Sequence, residues 1–188
     1  MVLMQEETQY SGITLDQSVS FSKDFPEDAV SQAWKDGRRI VFLDFMAEQW
    51  VIVSEKLSNT LSAGQTVCFS NEALPGSELQ NDLWNKEKKL TCLSWQKKVG
   101  WMLLGENRTG TGQSYAAGSD WPSEKVADRL SKGMTVVGVA WNTSDEAWAI
   151  VFDNVAKNSS ITTTIHFEKT FNEDLMRTLA LTRYGKRF

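Results

Sequence analysis

Apolar positions along this chain recur in one order. A pair at helical spacing comes first, then short continuous runs. Val30 and Trp34 stand four residues apart among polar neighbours, which places them on one face of a predicted helix. Ile40 to Phe45 and Trp50 to Val53 follow as apolar runs with a short break between them, and together they predict a β-hairpin. The order returns with Leu79 and Trp84, then Leu90 to Trp95 and Trp101 to Leu104. It returns again with Val126 and Leu130, then Val136 to Trp141 and Trp148 to Val151. Another strand-like stretch separates each hairpin from the next helix: Gln65 to Phe69, Gln113 to Ala117 and Ile161 to Phe167. One unit therefore reads helix, strand, strand, loop, strand.

Turn chemistry repeats with the pattern. The chain has three prolines, Pro26, Pro75 and Pro122, and each opens a predicted helix. Proline is tolerated there because the N–H it lacks would have no intrahelical partner. Glu27 and Asp28 suit the positive end of the helix dipole, and Gly37 and Gly133 suit the left-handed turn that ends a helix. Trp50, Trp101 and Trp148 each open a second hairpin strand and are expected in the core.

A fourth copy is divided between the ends of the sequence. Phe171 to Met176 matches Phe25 to Val30 with Asn172 in place of proline, and Gly185 to Phe188 resembles Gly37 to Ile40. Val2 to Glu6 resembles Val51 to Glu55, and Gln17 to Ser22 resembles Gln65 to Ser70. The expected architecture is a single α+β repeat domain over 1–188, with about four units of helix plus three short antiparallel strands. The units are placed at about 25–73, 74–120, 121–170, and 171–188 together with 1–24. Open arrays leave unpaired strand edges, so a closed propeller-like ring is expected, with the fourth unit shared between the termini. Val2–Glu6 would pair there with Lys186–Phe188.

Charge and composition narrow the function classes. The net charge of −4 gives no basic field for nucleic acid, and Lys86, Lys88 and Lys89 read as a solvated helix end. Neither a signal-peptide pattern nor an apolar stretch long enough for a bilayer appears, so no membrane partner is expected. Cys68 and Cys92 lie singly in strand-like runs and read as reduced, buried thiols, which fits a cytoplasmic or nuclear protein.

Chemistry-bearing patterns are sparse. The one histidine, His166, sits in a β-rich stretch without a nucleophile motif, and no metal-ligand spacing is present. Thr109-Gly110-Thr111-Gly112 lacks the Gly-Lys-Ser/Thr ending of a phosphate loop and follows a hairpin. No catalytic residue, metal or cofactor is therefore assigned, and the chain does not read as an enzyme. Trp95 and Trp141 end first hairpin strands, where partial exposure would make an aromatic ligand surface. With Thr109, Thr111, Gln113 and Tyr115 of the polar loop, they are the candidate ligand-binding residues. The leading expectation is a non-catalytic protein-interaction or scaffold module, with another protein as partner. The alternative is a lectin-like or small-ligand module that binds a glycan through Trp-rich and polar repeat loops.

The pattern Phe-Pro-x-x-x-Val-x-x-x-Trp-x-x-Gly-x-x-Ile, followed by the Trp50-Val51-Ile52-Val53 strand, resembles a tandem repeat domain of unknown function. That family is found in bacterial and protist proteins and after the kinase domain of plant casein-kinase-I-like kinases. Thr111-Gly112-Gln113-Ser114-Tyr115, and Tyr10-Ser11-Gly12 followed by Gln17, are similar to its Gly-Tyr-x-x-Gln loop. The resemblance covers nearly the whole chain and implies a fold unit without an activity. It also implies that any regulation of a kinase would act in trans, since no kinase sequence is present.

Overall fold

The structure is a computed structural model that describes residues 2–4, 14–46, 48–57, 64–107, 112–154 and 164–166. Its elements run β1 (Val2–Met4), β2 (Thr14–Ser22), α1 (Glu27–Lys35), β3 (Arg39–Met46), β4 (Gln49–Leu57) and β5 (Thr66–Ser70). Then come α2 (Gly76–Glu78), which continues through a π turn (Leu79–Leu83) and a 3-10 turn (Trp84–Lys86), and the strands β6 (Lys88–Gln96) and β7 (Gly100–Asn107). β8 (Gln113–Gly118), α3 (Ser123–Ser131), β9 (Met134–Asn142), β10 (Ala147–Asn154) and β11 (Thr164–His166) complete the described chain. The fold is α+β: among the described residues stand three helical segments, three small three-stranded antiparallel sheets, ordered β2-β4-β3, β5-β7-β6 and β8-β10-β9, and the two-stranded β1-β11.

Each sheet has the same topology. An outer strand comes first, a helix crosses over, and a hairpin returns with its second strand in the middle. The strand that joins each hairpin therefore precedes its helix, and the sheets span 14–57, 66–107 and 113–154. Units counted from each helix, such as 25–73 and 74–120, take their last strand from the following sheet. A bulge recurs at one register position, skipping Val41, Thr91 and Val137, so the first hairpin strands bend alike. Val2–Met4 pairs antiparallel with Thr164–His166, and in sequence this repeats the pairing of β4 with β2 and of β7 with β5. The expected pairing of Val2–Glu6 with Lys186–Phe188 lies outside the described residues, as do residues 171–188 of the expected fourth unit.

Each proline opens its helix as expected, standing at the N-cap. Its carbonyl accepts the first helical bond, from Val30, Leu79 and Val126 at 3.0, 3.1 and 2.9 Å. The second unit has one more residue between proline and helix end than the first, and the π turn at Leu79–Leu83 absorbs it. Leu79 and Leu83 thereby both stay buried, where Val30 and Ala33 are buried in the first unit. The helix-ending position is Gly37, Glu87 and Gly133 in turn, with φ of 68°, 57° and 77°. Glu87 holds the left-handed conformation without glycine's freedom, at a cost of about 1 kcal/mol.

The core lies within and between the sheets. Ile40, Leu43 and Ile52 of the first sheet share one cluster with Cys92, Met102 and Leu104 of the second. Leu90, Leu93 and Leu103 share another with Ala149 and Val151 of the third. The second sheet is thus apolar on both faces. β9 approaches β6 so closely that a Cβ on Gly138 would stand 2.9 Å from Leu93 Cβ. Trp50 and Trp101 are buried as expected, but Trp148 is only half-buried and packs beside Trp121 and Trp141.

Candidate functional site

The polar residues that recur with the unit converge on the seams between neighbouring sheets. β3 is an edge strand, and at Ile40 its outer N–H and C=O lack a strand partner. The Gln65 side chain supplies one. Its Oε1 accepts from Ile40 N at 2.8 Å and from Trp34 Nε1 at 3.1 Å. Its Nε2 donates to Ile40 O at 2.7 Å and to Glu106 Oε2 at 3.1 Å. Gln113 repeats this at the next seam, accepting from Leu90 N (2.8 Å) and Trp84 Nε1 (3.1 Å) and donating to Leu90 O (2.9 Å). The helix tryptophan and the glutamine that opens the following sheet therefore form one device. In the third unit Leu130 stands where Trp34 does, and the β11 register puts Thr162 at the glutamine position in the sequence.

A line of buried ion pairs crosses the same seams. Arg39 forks onto Glu106 through Nε (2.9 Å) and Nη2 (3.2 Å), and its Nη1 donates to Glu55 at 3.2 Å. Lys89, which occupies the position of Arg39, donates to Asp153 of the third sheet at 3.0 Å. All of these groups are largely withdrawn from water. A planar guanidinium matches the carboxylate fork, and removing one partner of such a buried pair is costly. Lys86 pairs with Asp82 on its own helix, but Lys88 donates to the Gly64 carbonyl and Lys89 reaches the third sheet, so only Lys86 fits the expected solvated helix end.

Of the sequence-derived ligand candidates among the described residues, Trp95 and Tyr115 come together against the second cluster. Gln113 is committed to the seam. Tyr115 packs in the second cluster, and its hydroxyl is buried without a hydrogen-bond partner among the described residues. Burial pushes the Tyr115 phenol up to about 12. Trp95 and Trp141 are half-buried, Trp95 within the second cluster and Trp141 against the Trp148 ring at 4.9 Å. Thr109 and Thr111 lie outside the described residues. His166 is in β11, paired with Val2.

Cys92 is buried, and burial pushes its thiol up to about 12; Cys68 is also raised by burial. Asp44, beside the Ser94 hydroxyl and the Phe45 N–H, is raised by burial, with those bonds opposing the shift. Among the described residues no three His, Cys, Asp or Glu side chains stand together as a metal cage, and no helix is long and apolar enough to cross a membrane.

Sequence reading singled out Gln113 but assigned it to a ligand, and it missed the roles of Gln65, Arg39, Lys89, Glu55, Glu106 and Asp153. The usable signal was their phase: each falls within two residues of an apolar strand run.

These features define a class by build: an α+β protein of repeated helix-plus-hairpin sheets joined by glutamine latches and buried ion pairs. No family model, curated protein or solved structure matches the chain.

Proposed function

We propose that this chain is a non-catalytic protein-interaction or scaffold module whose units close into a four-unit propeller-like ring. What carries the reading is where the repeated polar groups go. Gln65, Gln113, Arg39, Lys89 and their carboxylate partners are consumed in joining one sheet to the next. That leaves the loops and outer strands to differ between units, as binding surfaces of repeat proteins do. Ring closure is supported by β1, which meets β11 as each middle strand meets its outer strand. The lectin-like reading is weaker, because the Gln113 amide is occupied and the Trp141 and Trp148 rings pack on each other. A kinase regulated in trans is the partner to test first, on the strength of the sequence resemblance. Affinity capture of the full chain under native conditions should return one protein in stoichiometric amount. Recovery of the chain alone, or a glycan-array signal that free sugar competes away, would argue against this function.

A further inference from the structure

The second and third sheets each turn one face to the unit before them. On the second sheet this face carries Val67, Cys92, Met102 and Leu104, all packed into the cluster that holds Ile40 and Leu43 of the first. Register identifies the same positions on the first sheet. Phe42 faces Val53 as Cys92 faces Leu104, Val19 faces Val53 as Val67 faces Leu104, and Phe21 faces Val51 as Phe69 faces Met102. There Val19, Phe21 and Phe42 are 55%, 63% and 36% exposed, with Met46 beside them at 43%. An apolar face of this kind is a docking surface.

The sequence repeat says what fits it. At the described seam, Phe25 of the first unit stands edge-on to Phe69 of the second at 4.8 Å, and Arg39 of the first reaches Glu106 of the second. The fourth copy has Phe171 at the position of Phe25 and Arg187 at the position of Arg39. The corresponding partners on the first sheet are Phe21 and Glu55. Spacing agrees: Phe171 follows His166 by as many residues as Leu74 follows Phe69. Aromatic edge contact and charge thus match at both ends of the seam.

We propose that residues 171–188 cover the exposed face of the first sheet as a fourth unit, with Phe171 against Phe21 and Arg187 paired with Glu55. This rests on the ring reading above and names the contacts that close the ring. The test is thiol cross-linking in the full chain with Cys68→Ala, using a short bismaleimide. The pair Phe21→Cys with Phe171→Cys is compared with Phe25→Cys and Phe69→Cys, whose contact is already described. Both pairs should give an intramolecular cross-link, read as a mass increase of one linker on a monomer. Cross-linking of the described pair alone would overturn the proposal. So would a cross-link of the Phe21–Phe171 pair found only between chains, which would make a second copy the occupant.

A second measurement does not rely on these variants folding equally well. Arg187→Ala should raise the unfolding constant about tenfold or more, as loss of a buried pair does, and Lys186→Ala by less than about threefold. Equal effects would also overturn the proposal. Partner capture is scored separately, so a failed cross-link leaves the interaction reading standing, and a missing partner leaves the docking standing.

Discussion

Replacing Gln65 by leucine keeps most of the side-chain volume and removes every polar bond it makes, so the loss isolates the latch. The substitution strands Ile40 N–H and Ile40 C=O at an edge where no strand pairs with them, beside a side chain that is fully buried. Each unpaired backbone group costs about 1–3 kcal/mol when water cannot reach it. Gln65 itself is only half-buried, so some rehydration follows and the lower half of that range applies. The Trp34 indole N–H, also half-buried, adds a few tenths. The expected loss is about 3 kcal/mol, which corresponds to a fall in Tm of roughly 6–12 °C for a chain of this size. Gln65→Glu should cost more at pH 7, because it sets a carboxylate beside that of Glu106 and against the Ile40 carbonyl. Urea unfolding measures both, and the midpoint should shift with the slope unchanged. A Gln65→Leu loss under about 0.5 kcal/mol would refute the claim that this amide seals the seam.

Other perturbations follow from the same structure. Glu87→Gly should stabilise the chain by about 0.5–1 kcal/mol in urea unfolding, since glycine adopts the left-handed conformation at 57° without strain. Tyr115→Phe removes a buried hydroxyl that has no partner among the described residues, so stability should stay level or rise by about 1 kcal/mol, whereas a structural bond to that hydroxyl would make it fall. Asp44 holds its proton more tightly folded than unfolded, so its contribution is complete below the ordinary carboxylate range and fades as pH rises through its folded titration. Asp44→Asn keeps the acceptor for Ser94 and Phe45, and should flatten the stability-pH curve above pH 4 in urea titrations at several pH values.

Local periodicity carried much of the fold. Val30 and Trp34 at helical spacing, the proline before each helix and the paired apolar runs each state a short-range preference, and each produced its element. The phase of the sheets was not readable this way. β5 pairs with β7 rather than closing the sheet of β4, a choice made by contacts across an intervening helix. The inserted residue of the second helix was visible as a spacing change, but its solution as a π turn depends on keeping both Leu79 and Leu83 buried. Glu87 at a left-handed position runs against local preference, so tertiary context overrides it there. The seam residues were hidden for a related reason. Arg39 and Lys89 read as ordinary charges before a strand, and only the approach of the next sheet turns them into buried partners of Glu106 and Asp153. Trp148 kept its place in the repeat yet is only half-buried, with its ring edge-on to Trp121 and tilted against Trp141.

Ring closure is the claim on which the architecture turns, and hydrogen exchange of the full chain reads it most directly. In a closed four-unit ring, the amides of Val2–Met4 and Thr164–His166, which pair with each other, belong to the fourth sheet. Their protection should then approach that of β4 and β7 and disappear with them in one cooperative step as urea is raised. Deleting residues 1–6 should abolish that protection and lower the stability of the whole chain. Exchange at the unprotected rate throughout β1, β11 and 171–188, with 14–154 still protected, would contradict the ring.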